Sequence, residues 1–150
     1  MPDSRQFSTF FLGDLHFGIE VEKVQEIIRY QHMTRVPLAS TVVHGLINLR
    51  GQIVTAIDLR ERLQMPPRDG DRLPTNVVVR GDDGAVSLLV DEIGDVLEIA
   101  DDTLEQPPAT VTGLTRELVR GVCKLADQLL LVLDTERAIQ IDGAENGNGL

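Results

Sequence analysis

The stretch GLINLRGQIVTAIDLRERL, residues 45–63, holds two short apolar runs parted by Arg50-Gly51 and closed by an Asp with charged positions behind it. Runs rich in Val, Ile and Leu with a Gly-containing break between them read as a β-hairpin. Gly51 accepts the positive φ that a tight two-residue turn requires, so Arg50 beside it projects from a rigid tip. Asp58 is placed to cap a helix, with Glu61 three residues on at capping-box spacing, and Pro66-Pro67 blocks continuation. One or two helical turns are therefore expected after the second strand.

The same pattern recurs outward from this hairpin. Strands are predicted at residues 6–12 and 15–21 around Gly13-Asp14, then at 43–49, 52–57, 76–80 and 86–90, with a last hairpin at 119–125 and 128–133. No long stretch keeps a helical period, so the fold class is all-β with few short helices. GVCKLADQLLLVLDTERAI, residues 121–139, matches residues 45–63 at one constant offset, Gly121 on Gly45 and Asp134 on Asp58. VEKVQEI, beginning at Val21, likewise matches VDEIGDV, beginning at Val90. Two readings are open: a worn internal duplication giving two small β-barrel lobes around a joint core, or a chance likeness of hairpins that end in Asp-capped turns. A two-lobed chain would carry a groove between its lobes. Residues 65–74, MPPRDGDRLP, have loop composition and are the expected joint, and the polar, Gly-rich residues 142–150 read as a disordered tail.

Composition limits the function. The chain has 150 residues and a net charge of −10, from 24 acidic and 14 basic residues, which repels phosphate backbones and anionic lipid surfaces. With aromatics at 3% and no Trp, the stacking platforms of single-strand binders are missing too, so no nucleic-acid partner is expected. The lone Cys123 fits a reducing compartment, and the first residues lack a basic segment followed by an apolar core, so a cytoplasmic protein without membrane insertion is expected.

Catalytic chemistry has no foothold in the sequence. His16, His32 and His44 lie in separate segments without metal-ligand spacing and read as surface or turn residues. No phosphate-binding glycine loop or nucleophile elbow is present, and Asp82-Asp83-Gly84 reads as a hairpin turn. Asp91-Glu92 and Asp101-Asp102 read as solvated faces of an acidic protein. No enzyme activity, cofactor or metal site is expected. Arg50 admits two readings, a recognition group held on a preset scaffold or a charge that keeps a sheet edge soluble.

FGIEVEKVQEI at residues 17–27, then TRVP, GLINLRGQIVTAIDLRERL, LLVDEIGDVLEI at residues 88–99 and GVCKLADQLLLVLDTERAI together resemble the CheW family of chemotaxis coupling proteins, over nearly everything from Gln6 to Ile141. The resemblance implies two SH3-like, five-stranded β-barrel subdomains within residues 1–141, no catalysis, and an adaptor role. It implies two partners, the cytoplasmic helical hairpin of a chemoreceptor and the regulatory domain of a CheA-type histidine kinase, with recruitment to the inner membrane face through the receptors. At the receptor-binding groove it implies Val24, Glu26, Gly45, Arg50 and Gly51. Val24, Gly45 and Gly51 are also open to purely structural readings, and Glu26 and Arg50 are expected to be exposed or paired, with each other as one option, because a buried unpaired charge is costly. Asp58 is read as a structural cap, and no motif marks the kinase-contact residues. A free-standing monomer is the expectation at this length.

Overall fold

In the computed structural model, which describes residues 3–37 and 40–141, ten strands form two five-stranded sheets. In chain order they are β1 (Ser4–Leu12), β2 (Leu15–Glu20), β3 (Val24–Ile28), β4 (Val43–Leu49), β5 (Gln52–Asp58), β6 (Thr75–Gly81), β7 (Gly84–Val90), β8 (Glu92–Ala100), β9 (Val119–Lys124) and β10 (Leu129–Leu133). Three short helices, α1 (Leu59–Arg62), α2 (Gly113–Leu118) and α3 (Thr135–Ile139), join them. The tail expected at 142–150 lies outside the described residues.

The sheet orders are β8-β1-β2-β10-β9 and β3-β6-β7-β5-β4. They coincide strand for strand if β1–β5 with α1 and β6–β10 with α3 are two repeats that exchange their leading hairpins. The exchange is sealed by parallel pairing, β2 with β10 and β5 with β7. The duplication read from the sequence is thus visible in the topology, and it corrects the expected joint. Residues 65–74 connect α1 to β6 within one sheet; the chain passes between lobes just after Glu20 and again between β7 and β8.

Each sheet curls until its ends meet. Thr34 exchanges backbone hydrogen bonds of 2.9 and 2.8 Å with Leu46 of β4, and Glu105 does the same with Val122 of β9 at 2.8 and 2.9 Å. The matched glycines make this possible: a Cβ on Gly45 would lie 2.8 Å from the Thr34 carbonyl oxygen, and one on Gly121 would lie 3.2 Å from that of Glu105.

A shared core lies between the lobes, built from Phe10, Phe17 and Ile19 on one side and Ile57, Val77, Val79, Leu88 and Val90 on the other, with Leu131 and Leu133. Alternate residues of the same strands fill the lobe interiors: Val78 and Leu89 in one, Leu130 and Val132 in the other. Strands covered on both faces read as continuous apolar runs, which is why NVVV and LLLVL carry no alternation.

Two strands escaped the sequence pattern. β3 follows a 3-10 turn at Val21–Lys23, and β8 is broken by a bulge opposite Thr9 where its pairing skips Gly94 and Asp95. His16 corrects another expectation, being 6% exposed and stacked on Phe11 with ring centroids 4.3 Å apart.

Candidate partner-binding site

Arg50 and Gly51 form the two-residue turn between β4 and β5, with Leu49 opposite Gln52. Both have positive φ, 52° and 91°, the backbone of a type I′ turn. The Asn48 Oδ1 fastens the turn by accepting the Gly51 N–H at 2.9 Å. An arginine in the left-handed region costs about 1 kcal/mol or more, and the strained residue here is the one whose side chain is 70% exposed. The Arg50 guanidinium donates to the carboxylate of Glu26 on β3. Because β3 and β4 are the two ends of one sheet, this pair clasps the seam of the lobe. Arg50 beside it holds the Glu26 carboxyl below its ordinary value, and Glu26 raises that of Arg50.

The other predicted positions play different parts. Val24 is half-buried opposite Val79 and packs against the shared core. Gly45 is buried, its missing side chain taken up by Thr34 and Met33. Gly51 has open space around it. Asp58 caps α1, its Oδ1 accepting the Arg60 N–H at 3.1 Å, and Asp134 caps α3 in the same way through Arg137 N–H. The structure therefore gathers Glu26, Arg50 and Gly51 at one hairpin tip and leaves Val24 and Gly45 as packing residues.

One residue beyond Gly51 an open groove of about 600 Å³ begins. Its floor is the start of β5 with Ile53, which is 64% exposed, and the β6–β7 turn with Asp82 and Asp83; α3 and Ile141 form the wall. Floor and wall come from different lobes, so this is an interlobe groove, apolar at Ile53 and Ile139 and without a basic residue among the described residues that line it. Among the described residues no group of His, Cys, Asp or Glu has the geometry to hold a metal ion.

Sequence reading missed the charges that hold this frame. Asp91, expected on a solvated face, is 10% exposed; it takes Arg60 in two-pronged fashion at 3.0 and 2.5 Å, the Gly13 N–H at 2.7 Å and Arg68 at 3.0 Å. Burial pushes its carboxyl up, but Arg60, Gly13 and Arg68 outweigh this and hold it at about 2. Glu20, 6% exposed at the other crossing between lobes, accepts from Arg120 at 2.6 Å and lies 3.3 Å from Arg5. The arginines stand in plain view in the sequence, but their partners are distant along it and no local spacing couples them.

The family described as CheW-like domain matches residues 6–142. A chemotaxis protein CheW of Treponema pallidum (strain Nichols) is 30% identical over 136 residues, 88% of this chain and 80% of the relative. One of Bacillus subtilis (strain 168) is 28% identical over 137 residues, 91% of this chain and 88% of the relative. The crystal structure of the scaffolding protein CheW from Thermoanaerobacter tengcongensis superposes with a TM-score of 0.83 at 25% identity, covering 95% of this chain and 92% of that one. With the fold, the duplicated hairpins and nearly the whole length in agreement, the chain belongs to the CheW family of chemotaxis coupling adaptors.

Proposed function

We propose that this chain couples the cytoplasmic helical hairpin of a chemoreceptor to the regulatory domain of a CheA-type histidine kinase without catalysing any reaction, working at the cytoplasmic face of the membrane through its receptors. The observation that carries the reading is the strained, projecting Arg50 clasped to Glu26 beside an interlobe groove. The groove is the receptor seat: Ile53 offers apolar area to a helical face, and the Arg50–Glu26 pair sets the polar contact at its end. Glu26, Arg50 and Gly51 act there directly, whereas Val24 and Gly45 act by shaping β3 and β4. The kinase regulatory domain is held elsewhere on the lobes. Binding both partners at once raises their effective concentration for one another, so each single contact needs only modest affinity.

The test is binding of the purified protein to a receptor hairpin and to a kinase regulatory domain, with Arg50→Glu as the variant. The substitution sets two carboxylates against each other at the clasp and inverts the tip's charge. Loss of hairpin binding by about tenfold or more, about 1.4 kcal/mol, with kinase binding kept, is the expected result. Wild-type protein that binds neither partner would sink the coupling role and leave the fold alone standing.

A further inference from the structure

The two helices that follow the matched hairpins end differently. α1 closes on itself: Gln64, at φ 59°, turns its N–H to the Glu61 carbonyl at 3.1 Å and brings the Met65 N–H to the Arg60 carbonyl at 2.8 Å. α3 keeps the first of these bonds, its Gln140 N–H reaching the Arg137 carbonyl at 3.3 Å, but Gln140 stays at φ −77° and the Ile141 N–H turns to the Ile139 carbonyl at 3.0 Å instead. A helix of this length leaves its last carbonyls short of partners of its own. They are taken by an arginine from the other repeat. The Arg62 Nε donates to the Ala138 carbonyl at 3.0 Å, and its Nη2 donates to those of Arg137 at 2.9 Å and Gln140 at 3.3 Å.

Three residues at this end of α3, Ile139, Gln140 and Ile141, wall the interlobe groove, while Arg62 itself does not line it. Arg62 belongs to the helix that directly follows β5, and β5 supplies the groove floor. Its planar guanidinium thus ties floor to wall across the lobe boundary. Two weaker ties accompany it. Ile139 nests over Gly81, where a Cβ would meet its Cδ1 at 2.9 Å, and Lys23 lies 3.3 Å from Glu136. Without Arg62 the helix keeps its Asp134 cap and its apolar seat, but three carbonyls of its final turn lose a donor at once.

We infer that Arg62 is a positioning residue for partner binding: by capping α3 from the opposite lobe it fixes the wall of the groove, an inference that rests on reading that groove as the receptor seat. Arg62 touches no partner. Its effect passes through the backbone of residues 137–140, so charge alone does not replace it; a lysine has the charge but lacks the planar fork that reaches three carbonyls together.

The experiment compares wild type, Arg62→Met, Arg62→Lys and Arg50→Glu for affinity to a receptor hairpin and to a kinase regulatory domain, with amide hydrogen exchange on each free protein. Arg62→Met is expected to lose about tenfold in hairpin affinity, as for removal of charged hydrogen bonds, and nothing for the kinase domain. Faster exchange should be confined to the amides of Gln140 and Ile141, and Arg62→Lys should fall between Arg62→Met and wild type in both readouts. Equal losses for both partners, together with faster exchange throughout β9 and β10, would reduce Arg62 to a general stabiliser and overturn the inference. Hairpin affinity unchanged in Arg62→Met, while Arg50→Glu abolishes it, would overturn it with the groove reading intact. Wild type that fails to bind the hairpin overturns the groove reading itself.

Discussion

Replacing Asp91 by Asn tests whether the buried ion cluster fixes the lobes. The side chain loses its charge and keeps its shape, leaving Arg60 and Arg68, 12% and 11% exposed, without their main counter-ion. Breaking a buried pair from one side costs about 3–5 kcal/mol, chiefly because the remaining charge is stranded. Two features place this case at the low end. Asn still offers an acceptor to the Gly13 N–H, and Asp58 remains 3.5 Å from Arg68. A loss of about 3 kcal/mol follows, which in a chain of this length lowers Tm by about 6–12 °C. The pH profile gives an independent check. A carboxyl held at about 2 in the folded protein against an ordinary 3.8 contributes stability that is complete above 3.8 and is lost as pH falls from there toward 2. Wild type should lose about 1–2 kcal/mol over that window, after allowance for solvent screening, and Asp91→Asn should lack that component. Urea denaturation at neutral pH and between about pH 4 and 2 supplies both numbers. A neutral-pH loss below about 1 kcal/mol, or an acid limb identical in the two proteins, would refute the argument that this cluster is tightly coupled.

Gly45→Ala should cost about 2 kcal/mol in denaturant melts and Gly121→Ala less, because the added methyl meets a backbone oxygen at 2.8 Å in the first case and 3.2 Å in the second; the reverse order would mean that the barrel seams do not depend on these approaches. His16 is held below its ordinary 6.5 by burial, with Asp95 offsetting part of the effect. Its contribution is therefore present above 6.5 and lost as pH falls through that value toward the lowered one. His16→Phe should flatten the stability profile there, as followed by urea midpoints from neutral pH to about pH 5.

The hairpins were legible because their signals are local: a Gly that takes positive φ at Gly51, an Asp that caps at Asp58 and again at Asp134, and strands bounded by turn residues. The coincidence of Gly45 with Gly121 was legible too, though its reason, room for the strand that closes each barrel, appears only in three dimensions. β3 and β8 were not legible. Each sits at a sheet edge where a bulge or a 3-10 turn breaks the alternation, and β8 buries only Ile99 fully. The expected joint at residues 65–74 failed for a related reason: proline-rich composition reports a loop, but whether that loop separates lobes depends on which hairpin pairs with which sheet. Of the candidate site, the cost of an unpaired buried charge left Glu26 and Arg50 either exposed or paired, with each other as one option, whereas Asp91 was misplaced because two adjacent carboxylates look alike in sequence and only one faces Arg60.

The exchange of hairpins bears on how an adaptor holds two partners in a fixed relation. Two barrels strung on a linker would swing about it, and coupling through them would be diluted by every orientation the linker allows. Here the lobe of β3–β7 is inserted into the other, which is therefore not a contiguous piece of chain. β1 and β2 complete the lobe that β8, β9 and β10 begin, and β6 and β7 complete the other. Pulling the lobes apart would expose Phe10, Phe17, Ile57, Leu88, Val90, Leu131 and Leu133, each less than 3% exposed. At about 1.5–3 kcal/mol for each large apolar side chain, those seven alone represent about 10–20 kcal/mol, comparable with or above the whole stability of a typical domain. Separation and unfolding are then the same event. The buried carboxylates at the two crossings, Glu20 with Arg120 and Asp91 with Arg60, act at the points where a hinge would otherwise form. A surface on one lobe consequently keeps its bearing on a surface of the other for as long as the protein is folded.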